Sequence, residues 1–189
     1  MTRIENVVCY PVTKEKADWL KTKVRDIPDY PKPGIIFKDL TPLFREPEAL
    51  AFVIDAFSTK VKELNPTRIV GIEARGFILG PTIAYKLGLG FVPIRKPGKL
   101  PYKTEQVSYS LEYGTGNLEI HIDSFEKGER AVVIDDLLAT GGTALAACKL
   151  VKKLGAEVLG VGFIVSLDFL NGRQKLPSNL EVFSLIQYS

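Results

Sequence analysis

The chain has few of the residues that build metal centres or disulfide frameworks. Its 189 residues include two cysteines, Cys9 and Cys148, and a single histidine, His121. Two cysteines are too few for a disulfide framework, and one histidine cannot complete a zinc site with them. We therefore expect reduced thiols and no metal site made from cysteine and histidine.

Long apolar runs and a strong charge of one sign are also absent. The net charge is only +3, and no window approaches the ~20 apolar residues of a membrane span. The first residues, 1–6, are too polar for a secretory signal. These features predict a soluble, cytoplasmic protein, with no membrane partner and no argument for nucleic-acid binding. The length suits one domain.

The most informative segment is the run VVIDDLLATGGTA at residues 132–144. An apolar strand leads into Asp135 and Asp136 and then into a glycine-rich turn, 140–143, that opens a helix. Backbone N–H groups of such a turn and the positive end of the helix suit a phosphate. Carboxylates accept hydrogen bonds, so the two aspartates suit ribose hydroxyls. The pattern predicts a site for ribose 5-phosphate, although two aspartates that only cap a helix are the alternative.

Two common nucleotide motifs are missing. No lysine follows the glycines, as the triphosphate-binding loop requires, and no Gly-x-Gly-x-x-Gly follows an early strand. ATP and NAD are therefore poor fits to this chain.

Hydrophobic spacing predicts that helices and strands alternate. The helices are expected at 13–24, 47–64, 77–87 and 143–154, and the strands at 68–72, 91–94, 131–135 and 158–165. Prolines end the first helix, and an extended loop follows. Segments 106–111 and 118–122 predict an antiparallel flap. The order is typical of an α/β fold with a mostly parallel sheet, in which the loops after Ile72, Ile94 and Asp135 converge on one crevice.

Five blocks in this order resemble the type I phosphoribosyltransferase family, and within it the branch whose acceptor base is adenine. They are FKD with PL at 37–43, EARGF at 73–77, IRKPGKLP at 94–101, YSLEYG at 109–114, and the run at 132–144. The match covers the chain from Ile27 onward. The resemblance implies a single domain at 1–189 with a flexible antiparallel flap, in which 1–33 form a variable extension and the start of a small amino-terminal hood.

The resemblance also implies the reaction. Ribose 5-phosphate passes from 5-phosphoribosyl 1-pyrophosphate to N9 of adenine, which gives AMP and pyrophosphate in purine salvage. Mg²⁺ is expected on the oxygens of the substrate, with no direct protein ligand. A homodimer is expected in which Arg95 reaches the partner's site.

The family's site residues map onto this chain in three groups. Glu112 is the expected acid/base residue, and Arg75 acts with it in catalysis. Ile36, Phe37 and Lys38 are expected to bind adenine, Phe37 by stacking and the other two through their backbone. The expected ligands of phosphoribosyl pyrophosphate are Glu73, Ala74, Arg75, Arg95, Lys96, Lys99, Tyr113, Asp135, Asp136, Ala139, Thr140, Gly141, Gly142 and Thr143. The resemblance further implies a cis peptide bond between Glu73 and Ala74.

Several of these residues have simpler alternatives. Arg75 could form a surface ion pair, the lysines could belong to a solvated loop, Phe37 could be core, and Glu112 could be a solvated charge at the tip of the flap. Family members that use hypoxanthine or guanine have an aspartate where this chain has Ala139, which disfavours 6-oxopurines. A transferase for another base and a regulator that senses phosphoribosyl pyrophosphate without catalysis stay open. The regulator needs a DNA-binding module, for which about thirty amino-terminal residues leave no room.

Overall fold

The computed structural model describes residues 8–9, 12–110 and 115–189. Its strands are β1 (Val8–Cys9), β2 (Arg25–Pro28), β3 (Ile36–Asp39), β4 (Arg68–Ile72), β5 (Gly90–Ile94), β6 (Thr104–Ser110), β7 (Thr115–His121), β8 (Arg130–Ile134), β9 (Leu137–Leu138), β10 (Glu157–Leu167) and β11 (Glu181–Tyr188). Its helices are α1 (Lys14–Lys21), α2 (Thr41–Arg45), α3 (Pro47–Leu64), α4 (Gly76–Leu87) and α5 (Gly142–Lys153), with 3-10 turns at Asp168–Leu170 and Gly172–Lys175.

A parallel sheet organises the fold. Its seven described strands run in the order β1-β11-β10-β8-β4-β5, with β9 also paired to β10. Each of these pairs is parallel. The predicted α/β class and the mostly parallel sheet are therefore confirmed.

Both faces of the sheet are covered, which explains why its central strands are almost continuously apolar. Alternate residues of β8 point to opposite faces. Val132 and Ile134 pack in a core with the buried sides of α3 and α4. Val133 packs in a second core with the buried side of α5. The polar loops at the carboxyl ends of the parallel strands lie together at one edge of the sheet.

Local signals fix the helix ends close to where the sequence predicts them. Helix α3 begins at Pro47, a favoured first residue, and stops before Asn65 in the left-handed conformation, φ 51°. Helix α4 stops before Gly88, which is also left-handed, φ 67°. The first helix is shorter than predicted, Lys14–Lys21 rather than 13–24.

The amino-terminal region holds an antiparallel pair that the sequence pattern does not indicate. Strands β2 and β3 flank the predicted loop and form a hairpin, hereafter the hood hairpin. Asp29 caps its turn by accepting a hydrogen bond from the backbone N–H of Gly34 at 2.7 Å. The Tyr30–Pro31 peptide bond is cis. Proline-rich, four-residue strands carry too little periodicity to be recognised, and their pairing depends on the turn.

The predicted flap is an antiparallel pair of β6 and β7. Its tip, residues 111–114, lies outside the described residues. At its base, Arg95 and Glu119 exchange backbone hydrogen bonds of 2.9 and 2.8 Å, which join the flap to the end of β5. In the described part of the chain, no helix is both long and apolar enough to cross a membrane.

Candidate active site

Three loops at the carboxyl ends of β4, β5 and β8 enclose a cavity of about 440 Å³. This is where the parallel topology predicts a ligand, and the expected convergence of the three loops is confirmed. The cavity is lined by Glu73, Ala74, Arg75, Lys96, Tyr109, Leu118, Asp135, Asp136, Leu137, Leu138, Ala139, Thr140, Gly141, Gly142, Thr143, Ala144 and Phe163. Tyr109, Leu118 and Phe163 were not expected there.

Residues 139–143, hereafter the phosphate loop, form the floor at the start of α5. Gly141 caps this helix in the left-handed conformation, φ 78°, which a residue with a Cβ adopts only with strain. The first N–H groups of a helix have no acceptor inside it, and the helix dipole adds positive potential there. The loop therefore offers amide donors to an anion in the cavity.

Asp135 and Asp136 stand beside this loop, and their backbone is fixed by β10. The N–H of Asp135 donates to the carbonyl of Gly162 at 3.1 Å, and the carbonyl of Asp136 accepts from Ile164 and Val165, both at 3.0 Å. The N–H of Asp136 donates to Asp135 Oδ1 at 2.9 Å. The backbone that carries the two carboxylates is therefore held next to the predicted phosphate site.

Burial makes ionisation of both aspartates less favourable than it is in water. Burial and then the neighbouring Asp136 charge raise the pKa of Asp135 well above its usual range. Burial also raises the pKa of Asp136, although Arg75 opposes this. Arg75 Nε lies 2.7 Å from Asp136 Oδ2, yet its N–H does not point at that oxygen, which has no hydrogen bond. An incoming hydroxyl donor would satisfy it.

Close packing by Gly76 brings Arg75 to this position. A Cβ atom on Gly76 would lie 2.7 Å from the carbonyl oxygen of Ile134 and 3.3 Å from Asp135 Oδ1. Only glycine lets the first turn of α4 approach the end of β8 so closely. The side chain of Arg75 therefore reaches Asp136 rather than a surface carboxylate, so its ion pair lies inside the cavity.

Glu73 binds the cations of the loop that follows β5, residues 95–99, hereafter the basic loop. Its carboxylate accepts hydrogen bonds from Lys99 Nζ at 2.6 Å, Arg95 Nε at 3.1 Å and the backbone N–H of Lys96 at 3.2 Å. Burial opposes ionisation, but these three donors together hold the pKa of Glu73 at about 2. Arg95 and Lys99 are therefore paired to Glu73 at the rim, and Lys96 reaches the cavity. The Glu73–Ala74 peptide bond is cis.

The basic loop has a second carboxylate anchor that the sequence does not reveal. Glu119, on β7, is 9% exposed and accepts a hydrogen bond from the backbone N–H of Gly98 at 3.1 Å. This contact ties the loop to the flap. No sequence motif marks it, because the two residues meet only through the pairing of β7 with the end of β5.

The residues expected to bind adenine lie on β3 of the hood hairpin, beside the lining of the cavity. Phe37 is half-buried outside both cores, with its ring edge against Tyr30. Arg75 Cζ lies 5.4 Å from the centre of the Phe37 ring. Ile36 is 56% exposed, and Lys38 Nζ donates to Asp26 at 2.7 Å. Arg75 thus links the Phe37 ring to the aspartate pair.

Glu112, the expected acid/base residue, and Tyr113, an expected ligand of phosphoribosyl pyrophosphate, lie outside the described residues. Among the residues that are described, no group of three or more acidic, histidine or cysteine side chains could hold a metal ion. The carboxylates beside the phosphate loop are the adjacent pair of Asp135 and Asp136. Such a donor set suits a magnesium ion that keeps its waters and binds through the substrate.

Comparison with known proteins identifies the family. A model of the phosphoribosyl transferase domain matches residues 41–187. The chain belongs to the phosphoribosyltransferase family. The match includes the loops after β4, β5 and β8 that line the cavity of this phosphoribosyltransferase, and it leaves out the hood hairpin.

Relatives of this phosphoribosyltransferase extend the similarity to the hood. The adenine phosphoribosyltransferase of Koribacter versatilis is 55% identical over 171 residues, 90% of this chain and 93% of its own length. The crystal structure of the Rhodothermus marinus adenine phosphoribosyltransferase has a TM-score of 0.88 at 47% identity and covers 93% of this chain and 100% of its own. The Saccharomyces cerevisiae enzyme, solved with an iminoaltritol bisphosphate and adenine, has a TM-score of 0.86 at 42% identity, covering 92% and 99%.

Proposed function

We propose that this phosphoribosyltransferase is an enzyme of purine salvage that transfers ribose 5-phosphate from 5-phosphoribosyl 1-pyrophosphate to N9 of adenine. The products are AMP and pyrophosphate. One observation supports this proposal most directly: the paired carboxylates Asp135 and Asp136, the backbone amides of the phosphate loop and the guanidinium of Arg75 line the same cavity. Relatives named for this activity cover about nine-tenths of the chain.

The first step is the capture of the sugar phosphate. The 5′-phosphate accepts hydrogen bonds from the amides of the phosphate loop, and the ribose hydroxyls donate to Asp135 and Asp136. Hydrogen bonds to a charged carboxylate contribute about 1.5–3 kcal/mol each. Hydroxyl donors stabilise the ionised aspartates, so the sugar lowers their raised pKa values while it binds.

The second step is departure of the pyrophosphate, whose negative charge grows as the bond to C1′ breaks. Arg75 and Lys96 stabilise that charge from within the cavity, since preorganised cations act most strongly where charge develops. Arg95 and Lys99, held by Glu73, complete the cluster at its rim. When bound, Mg²⁺ on the substrate oxygens neutralises part of the same charge.

The reaction also requires a binding site for the acceptor base, adenine. Adenine stacks on Phe37, and the backbone of Ile36 and Lys38 hydrogen-bonds its edge. Ala139 offers no acid/base group to a purine, which disfavours 6-oxopurines. Glu112, whose role the family resemblance implies, acts as the acid/base group for the proton of adenine.

We also propose a homodimer in which Arg95 takes part in the partner's site, with residues 1–189 of each copy forming one domain. Helix α4 supports this, because it exposes two large apolar side chains: Ile78 is 40% exposed and Tyr85 is 89% exposed. Arg95 Cζ lies 5.9 Å from the ring of Phe77 on the same helix. A second copy seated on α4 would therefore come next to Arg95.

One assay tests the proposed reaction. The purified protein is incubated with phosphoribosyl pyrophosphate, Mg²⁺ and adenine, hypoxanthine, guanine or orotate in turn, and the nucleotide is measured by chromatography. We expect AMP alone. Formation of another nucleotide would reassign the base, while tight binding of phosphoribosyl pyrophosphate without any product would indicate a regulator. Arg75→Gln is the control that should abolish turnover.

A further inference from the structure

The phosphate loop is backed, on the side away from the cavity, by a 3-10 turn at Gly172–Lys175. Gly172 is buried, and it is not among the residues that line the cavity. We call this element the backing turn. It lies outside every sequence block that indicates a phosphoribosyltransferase, and the proposed reaction assigns it no part.

Two glycines allow the backbones of the loop and the turn to touch. A Cβ atom on Gly172 would lie 2.1 Å from the carbonyl oxygen of Ala139 and 3.0 Å from the amide nitrogen of Gly141. A Cβ atom on Gly141 would lie 2.3 Å from the carbonyl oxygen of Gly172. Separations this short are never tolerated against backbone, so one of the two segments must move if either glycine gains a side chain.

Arg173 makes the backing turn the more rigid of the two. Its guanidinium donates four hydrogen bonds of 3.0–3.3 Å to backbone carbonyls, those of Leu176, Pro177, Ser178 and Leu180. The side chains of Leu176 and Leu180 are buried in the core that includes α5. The phosphate loop borders open space in the cavity. A clash between them would therefore push the loop into the cavity and leave the turn in place.

We propose that Gly172 is a positioning residue for the sugar-phosphate site: with the turn held by Arg173, it sets the height and direction of the loop amides that hold the 5′-phosphate. This inference rests on the proposed function for the identity of the anion. Amide donors stabilise a phosphate only when several point at it together, so a displacement of about 1 Å weakens binding. The cations that face the pyrophosphate sit on other loops.

The predicted consequence is a selective loss. In Gly172→Ala, the affinity for ribose 5-phosphate, measured by isothermal titration calorimetry, should fall about tenfold or more, while the affinity for pyrophosphate changes less than about twofold. The KM for phosphoribosyl pyrophosphate should rise more than kcat falls. A general loss of structure would weaken both ligands alike, so equal weakening, or unchanged binding of ribose 5-phosphate, would overturn the proposal.

Two further variants keep the test decisive. Arg173→Lys preserves the charge but loses the planar fork that reaches four carbonyls, so it should show the same selectivity in milder form even if Gly172→Ala does not fold. Gly160→Ala is the matched control: a Cβ atom there would lie 3.0 Å from Leu64 Cδ1, far from the loop. It should lower stability and leave ribose 5-phosphate binding unchanged.

The outcomes separate this inference from the proposed function. If the natural protein binds ribose 5-phosphate but forms no AMP, the proposed reaction is wrong. The binding of ribose 5-phosphate by Gly172→Ala then still tests the positioning role of Gly172. If AMP forms and Gly172→Ala binds ribose 5-phosphate normally, the reaction stands and the positioning role is wrong.

Discussion

Arg75 faces Asp136, with Nε 2.7 Å from Oδ2, whereas Asp135 has no ion pair among the described residues. The two carboxylates are adjacent and buried, and the guanidinium beside them pairs with Asp136. Burial raises the pKa of both aspartates, and burial together with the Asp136 charge raises that of Asp135 well above the usual range. Ionisation of Asp135 is therefore unfavourable at this position, and a sugar with two hydroxyl donors would stabilise the ionised form.

The first prediction concerns Asp135→Asn. A carboxyl group whose pKa is raised on folding contributes stability below its unfolded pKa and loses it as pH rises through the folded value. Removal of the charge should therefore raise the melting temperature of the ligand-free protein at pH 7–8, and the difference should shrink towards pH 4. Affinity for ribose 5-phosphate should fall, because a charged acceptor is lost. Differential scanning calorimetry and titration calorimetry measure the two effects, and unchanged affinity would contradict the assigned role.

The second prediction concerns Asp39→Asn. Folding lowers the pKa of Asp39, whereas it raises the pKa of Asp135. Hydrogen bonds from Thr41 Oγ1 and its N–H, with Arg25 adding to them, hold the pKa of Asp39 at about 2. A lowered pKa contributes stability above the unfolded value, about 3.8, which is lost as pH falls through about 2. The substitution should therefore lower the melting temperature at neutral pH, by an effect of about 1–3 kcal/mol. A rise in both variants would show that the sign of the pKa shift is not the cause.

The third prediction concerns Glu73→Gln. The glutamine keeps a hydrogen-bond acceptor but loses the charge that holds Arg95 and Lys99 at 3.1 and 2.6 Å. Both cations are partly exposed, so solvent screens the pairs and the stability loss should be about 1 kcal/mol in urea denaturation. The loss should vanish as the pH falls to about 2, where Glu73 itself becomes protonated. Pyrophosphate affinity should fall, because the released side chains must be ordered again on binding. Tighter pyrophosphate binding would mean that Glu73 competes with the ligand.

The fourth prediction separates stacking from packing at Phe37. Loss of an aromatic face from a stacked base costs about 1–3 kcal/mol, so Phe37→Ala should raise the KM for adenine by about fivefold to 150-fold. Phe37→Tyr should restore it. Ile36→Ala is the matched control, since this neighbour is 56% exposed and only its backbone is assigned to adenine. An equal rise in both alanine variants would indicate general damage to the hood hairpin.

Parts of this structure that depend on local signals could be predicted from the sequence. Helix α3 spans 47–64 in both cases, because Pro47 and the apolar spacing act within the helix itself. The crevice after Ile72, Ile94 and Asp135 follows from a rule of parallel sheets. Strand β11 was not predicted, and neither were the contacts of Gly172, because they depend on which distant backbone each segment meets. The same holds for Glu73, whose sequence block shows an acidic residue but not the cations it binds.

The last prediction concerns Glu112, which lies outside the described residues and is assigned through the family resemblance. If its carboxylate manages the proton of adenine, Glu112→Gln should lower kcat about a hundredfold or more, within the range of general acid–base catalysis, with little change in either KM. Glu105→Gln is the matched control, because it removes an equal charge from the same flap. Glu105 accepts a hydrogen bond of 2.5 Å from Nζ of Lys153, on α5. Single-turnover measurements keep product release from masking the chemical step. If turnover is lost equally in both variants, flap charge rather than proton transfer is what matters, and if Glu112→Gln turns over normally, another group moves the proton.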